Sequence, residues 1–101
     1  MAPFLYNFEW DPVKANINRT KHGVDFEQAA TVFLDPLAVT IQDAAHSESE
    51  IRWVTLGKDT GGRYMLVVHT FEWLANERAR VRLISARQPT RAEIQDYEEQ
   101  T

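Results

Sequence analysis

Arg78-Ala79-Arg80-Val81-Arg82-Leu83-Ile84-Ser85-Ala86-Arg87-Gln88-Pro89-Thr90-Arg91 is the stretch whose reading decides the fold. Its segment from Arg80 to Ser85 alternates as a strand does. Successive strand side chains point to opposite faces, so Val81 and Leu83 take the core face while Arg78, Arg80 and Arg82 share the outer one. Arg87 follows the strand's end, where parity no longer binds it. Thr90-x-x-Glu93 is a capping box, which opens a short helix through Ile94 and Tyr97 with Arg91 in its first turn. The same stretch carries five arginines and, after Glu77, no acid until Glu93. In a chain of net charge −4 this local inversion points to a site for an anion such as RNA phosphate. The planar guanidinium pairs with phosphate in a bidentate way and stays charged at any working pH. A solvated strand face is the competing reading of such a run.

Upstream, three further segments have a period of two and are rich in β-branched and aromatic residues: Val39-Thr40-Ile41, Ile51 to Leu56, and Tyr64 to Phe71. Lys58-Asp59-Thr60-Gly61-Gly62 reads as the hairpin turn between the second and third, and Leu74-Ala75-Asn76-Glu77 as the turn before the last strand. The four strands are expected to form an antiparallel meander. Before them, Phe8-Glu9-Trp10 alternates like a short strand and runs into Asp11-Pro12, where Asp caps a helix and Pro takes its first position. That helix is predicted to run to about Lys21 and to be closed by Gly23. Lys14, Asn18, Lys21 and His22 would make its polar stripe, with Val13 and Ile17 opposite. Phe26, Ala29, Ala30 and Phe33 mark a second helix that stops before Asp35-Pro36. Two N-terminal helices, an antiparallel sheet of about four strands and a C-terminal helix define an α+β class.

At 101 residues, with 44% apolar content, residues 1–101 are expected to form a single domain with a modest core. There is no cysteine, hence no disulfide framework, no thiolate nucleophile and no Cys-based zinc site. The three histidines share no ligand spacing, so neither metal nor cofactor is expected. Gly61-Gly62 lacks the Lys-Ser/Thr of a phosphate loop. No stretch reads as a signal peptide or a membrane span, and a cytoplasmic location without membrane contact is expected. Charge is segregated: His22 to Ile51 contains six acids and no lysine or arginine, which suggests a dipolar molecule whose polyanion must be held by a local cluster.

Of the histidines, His22 ends a polar helix, where a titratable ring can exchange protons near neutrality or merely cap the helix. His46-Ser47-x-x-Glu50 reads mainly as another capping box. His69, alone in an apolar strand, reads as a packed histidine. Trp10, Trp53 and Trp73 read as core and rim residues, with Trp73 the most exposed and suited to an interface.

Taken in order, Phe8-Glu9-Trp10-Asp11-Pro12-x-Lys14-x-x-x-Asn18-x-x-Lys21-His22-Gly23-Val24-x-Phe26-Glu27-x-Ala29, then His46-Ser47-x-x-Glu50-x-Arg52, then Arg82-x-Ile84-Ser85-Ala86-Arg87 with Glu93 and Tyr97, resemble the BrnT family. The resemblance spans Phe8 to Tyr97. It implies a RelE-like fold and a ribonuclease toxin of a type II toxin–antitoxin system, cutting RNA without metal and neutralised by a BrnA-type antitoxin. A homodimer or a toxin–antitoxin heterotetramer would be the assembly. On this hypothesis Arg82 and Arg87 hold the phosphate and Arg63 reaches the same face. Lys21 steadies the leaving group and His22 is the general acid or base, with Glu93 the alternative carboxylate. Lys14, Arg80 and Arg91 would bind RNA outside the reacting centre. Two positions depart from the pattern: Glu72-Trp73 stands where an arginine is expected, and Gln88-Pro89 replaces a basic residue and alanine. A non-catalytic module that binds RNA or antitoxin is the alternative reading.

Overall fold

The computed structural model of the protein describes residues 5–43 and 50–99. Strand β1 (Leu5–Glu9) leads through Asp11, whose carboxylate accepts from the Val13 amide at 2.8 Å, into helix α1 (Pro12–His22). Gly23, with φ of 68°, closes α1 in the left-handed conformation that glycine adopts without steric cost. The expected second helix is a single α turn, α2 (Phe26–Ala29), that tightens into a 3-10 helix (Ala30–Leu34). Thr31 bonds back to the Gln28 carbonyl at 2.7 Å, and Asp35-Pro36 forbids a further α turn.

Strands β2 (Val39–Gln42), β3 (Trp53–Lys58), β4 (Tyr64–His69), β5 (Glu72–Leu74) and β6 (Arg78–Arg87) follow, then helix α3 (Arg91–Glu99). The sheet is mixed and six-stranded, in the order β1-β6-β4-β3-β2 with β5 also on β6. The four expected strands pair antiparallel in chain order, so the meander holds. Two strands make the difference. β1 joins β6 in parallel, which its separation by the N-terminal helices and four strands hides from local pattern. β5 has only three residues, too few for a period to show.

One register break decides where the arginines go. Val68 pairs with Ser85 but His69 pairs with Leu83, so Ile84 is an extra residue in β6. Strict alternation from Ala79, Val81 and Leu83 would turn Arg87 inward. The bulge resets the parity, so Ala86 is buried instead and Arg87 emerges on the face of Arg78, Arg80 and Arg82.

The first face of the sheet carries the main core: Met65, Val67, Val81, Leu83 and Ala86 against Val24, Phe26, Ala29 and Val32. Each such fully buried Val, Leu, Phe or Met side chain contributes about 1.5–3 kcal/mol. The second face is covered where Tyr97 of α3 packs on Leu56 and Leu66. α3 is anchored by the expected capping box: the Thr90 amide donates to Glu93 at 2.7 Å and the Glu93 amide to Thr90 Oγ1 at 3.2 Å.

The predicted stripes of α1 are corrected. Asn18 is 5% exposed, whereas Val13 and Ile17 are 66% and 59% exposed. β1 pairs with β6 only as far as Glu9 and Arg82, which leaves the next residues of that β6 edge without a strand. The Asn18 amide fills the gap: its Nδ2 donates to the Ala86 carbonyl at 2.9 Å and to the Val24 carbonyl at 3.1 Å. Its Oδ1 accepts from the Ala86 amide at 3.0 Å. An unpaired buried amide and carbonyl would each be costly, so the polar residue must face inward.

Candidate functional site

The uncovered part of the second face is a row of arginines, of which Arg80, Arg82 and Arg87 are each met by a glutamate from elsewhere in the fold. Arg80 lies between Glu72 of β5, at 2.8 Å, and Glu9 of β1, at 3.9 Å. Arg82 hydrogen-bonds Glu50, and the same carboxylate oxygen lies 3.8 Å from Arg52. Arg87 makes a two-pronged bond to Glu93 at 2.9 and 3.0 Å. Two hollows adjoin this row. One, of about 450 Å³, lies between β2 and α3 and includes Arg52, Ser85, Arg87 and Glu93. The other, of about 420 Å³, includes Glu9, Glu50, Glu72, Arg80 and Arg82. Glu50, bonded to Arg82 and close to Arg52, links the two.

Electrostatics separates the pairs. Hydrogen bonds from Arg87 hold the Glu93 carboxyl down at about 2, against its burial, and Glu93 in turn raises Arg87. A carboxylate so acidic is a poor proton carrier near neutral pH, so in this arrangement Glu93 positions Arg87 instead of exchanging protons. The Arg80 and Arg82 pairs are about half exposed, where an ion pair contributes only about 0–1 kcal/mol. A phosphate with its larger charge can displace such a carboxylate.

Arg63 is not brought to this row. It stands in the hairpin, where its Nε meets Asp59 at 3.2 Å and Asp59 also accepts from the Gly61 and Arg63 amides. It precedes Tyr64 and Met65, and the residue of its parity, Met65, belongs to the first-face core. The expectation that Arg63 reaches the face of Arg82 and Arg87 is therefore corrected by strand parity and by its carboxylate partner. Lys21 and His22 end α1, which Asn18 pins against Ala86, and no hydrogen bond joins them to Arg82 or Arg87. Lys14 and Arg91 are exposed, the first on α1 and the second in the first turn of α3. Among the described residues neither forms an ion pair.

His46 and Ser47 lie outside the described residues. His69 is a packed histidine: its ring is buried, its Nδ1 lies 2.8 Å from the Thr70 carbonyl, and its Nε2 lies 2.7 Å from Thr55 Oγ1. Burial lowers its pKa. Trp10 packs edge-on against Phe26, and Trp73 is 67% exposed as expected. Arg52 and Glu50 were not singled out by sequence as site residues. The signal was the Glu50-x-Arg52 pair, the one place where an arginine follows the acidic stretch closely. Nor does the charge segregation of the sequence survive folding, since Glu50 is returned to the arginines.

Chemically, such a row can grip successive phosphates and neutralise charge that develops on one of them. Residues 10–93 match the family described as the ribonuclease toxin, BrnT, of type II toxin-antitoxin system. Among solved structures the chain is similar to the Brucella abortus ribonuclease toxin, BrnT, with a TM-score of 0.59 and 20% identity over 86% of this chain and 99% of that one. No curated protein matches the chain.

Proposed function

This chain belongs to the BrnT family, the ribonuclease toxins of type II toxin–antitoxin systems, and we propose that it cleaves RNA on the arginine face of its sheet without a metal ion. In this reading Arg82 and Arg87 hold the reacting phosphate and Arg52 stands beside them. The 2′-hydroxyl oxygen bonds to phosphorus, the 5′-oxygen of the next nucleotide leaves, and the guanidinium groups neutralise the charge gathering on the phosphoryl oxygens. His22 supplies or removes the proton and Lys21 steadies the leaving oxygen, both from the end of α1. Lys14, Arg80 and Arg91 extend the contact along the backbone. Arg63 is left out of the centre.

The observation that carries the reading is the Arg82–Glu50 pair with Arg52 beside it. Two guanidinium groups meet on an open sheet face, held by a carboxylate that phosphate can replace. The same cationic face suits acidic residues of a BrnA-type antitoxin, so one docking event would both cover the site and neutralise it. We further place the fold with the RelE-like toxins and the activity in the cytoplasm, with a homodimer or toxin–antitoxin heterotetramer as the assembly. The test is RNA degradation in the presence of EDTA by wild type and Arg82→Ala. The variant should lose at least about 100-fold in rate, the magnitude typical of removing one charge-stabilising donor. Equal rates would remove Arg82 from the centre, and loss of wild-type activity in EDTA would refute the metal-free mechanism. His22→Ala with full activity would strip the proton role from the histidine.

A further inference from the structure

A cavity of about 370 Å³ opens on the first face, away from the arginines, and its walls are aromatic: Tyr6, Phe33, Trp53, Phe71 and Trp73. Register explains it. Tyr6 of β1 and Trp73 of β5 both lie opposite Ala79, on the two sides of β6. The strands that carry them stand about 10 Å apart, two interstrand spacings, and the methyl group of Ala79 leaves the space between the rings unfilled. Phe33 stands 5.2 Å from Tyr6, and Phe71 stands 5.7 Å from Trp73, ring centre to ring centre.

His69 and Thr40 also line this cavity, and the hydrogen-bonding sense of Thr40 is fixed from the interior. His69 Nδ1 faces the Thr70 carbonyl, which only accepts, so Nδ1 carries the proton and Nε2 is an acceptor. Thr55 then donates to Nε2, and Thr40, 2.8 Å from Thr55 Oγ1, donates to Thr55. The Thr40 hydroxyl has its proton committed inward and presents lone pairs outward. The cavity thus combines stacking surfaces with an acceptor at Thr40, a combination suited to a flat ring that bears an N–H donor.

It also adjoins the arginine face. Phe71 lines both this cavity and the hollow of Arg80 and Arg82. Among the described residues β5 pairs with no strand but β6, so an extended chain can pass beside Phe71 from one face to the other. We infer that this cavity is a subsite for one unstacked base of a single-stranded RNA whose backbone lies on Arg80 and Arg82. The inference rests on the ribonuclease reading given above. Stacking accepts any base, while the Thr40 acceptor takes an amino or imino N–H from its edge.

Binding of a labelled, uncleavable 2′-O-methyl oligouridine tests this, alongside the same backbone without bases and oligo(N3-methyluridine), which lacks the imino proton. Trp73→Ala should weaken binding of the oligouridine about tenfold, the worth of one base–aromatic stack, and leave the abasic strand unaffected. Trp73→Phe should restore most of the loss. Thr40→Val should weaken oligouridine several-fold and leave the N3-methylated strand unchanged. If Trp73→Ala binds oligouridine as wild type does while wild type still degrades RNA, the subsite is wrong and the ribonuclease reading stands. A loss confined to antitoxin binding would make the cavity a protein anchor and overturn the inference. Wild type that neither binds nor degrades RNA overturns both.

Discussion

The two faces of β6 are built from alternate residues of one strand and have opposite kinds of stability. On the first, Val81, Leu83 and Ala86 are closed over by the N-terminal helices, and Asn18 repairs the strand's open edge. On the second, Arg80, Arg82 and Arg87 lie part-exposed, each against a glutamate brought from β1, β5, the segment before β3, or α3. The first face stabilises the fold by excluding water; the second contributes little to folding and keeps charge available. Substitutions should therefore separate cleanly, the first face moving stability and the second moving activity.

Breaking the first side should have the largest effect. Asn18→Ala leaves the Ala86 amide and carbonyl and the Val24 carbonyl without their partner, at about 1–3 kcal/mol for each buried group that water fails to reach. A loss of roughly 3 kcal/mol in denaturant unfolding is expected, and a Tm lower by on the order of 15 °C. Unchanged stability would mean that α1 is not what completes the β6 edge. Arg82→Ala should do the reverse. Its side chain is 43% exposed and its ion pair weak, so unfolding should shift by less than about 0.5 kcal/mol while RNA cleavage falls as stated above.

Arg87 sharpens the comparison because it sits on the second face yet is tied to a helix cap. The Glu93 carboxyl, held near 2 by Arg87 against an ordinary 4.5, lends stability at every pH above that ordinary value. The contribution drains away as pH falls from there through about 2, where the folded protein must also take up the proton. Glu93→Gln should cost about 1 kcal/mol at neutral pH, after allowance for solvent screening of a pair about one-third exposed. The cost should vanish toward pH 2. A cost independent of pH would assign the effect to the cap and not to the ion pair.

Much of this contrast was legible in the sequence. Alternation in Arg80–Ser85 assigned Val81 and Leu83 to the core and Arg82 to the outside, and Thr90-x-x-Glu93 located the start of α3. What was hidden is non-local. The bulge at Ile84, which turns Arg87 outward, depends on the register of β4. The inward Asn18 depends on where β1 stops pairing. The arginine run appeared free of acids because none lies within it; folding supplies Glu9, Glu50, Glu72 and Glu93 from four separate segments. Arg63 failed for the complementary reason, a partner four residues away and a parity set by the hairpin.

The glutamates of the second face raise the smallest and most specific expectation. If they were structural, removing one should lower stability; if they hold the arginines in place until phosphate arrives, removal should leave the fold intact and strengthen anion binding. Glu50 is the discriminating case, because its one oxygen is bonded to Arg82 and lies near Arg52. Glu50→Gln keeps the side chain's size and removes the competing charge. It should tighten binding of a single-stranded RNA about three- to fivefold at low salt, near 1 kcal/mol, and steepen the loss of affinity as salt rises. Thermal stability should change little, since exposed pairs contribute about 0–1 kcal/mol. Weaker RNA binding by this variant would mean that Glu50 orients Arg82 and Arg52 for phosphate instead of competing with it, and the second face would then be preorganised in the way the first face is packed.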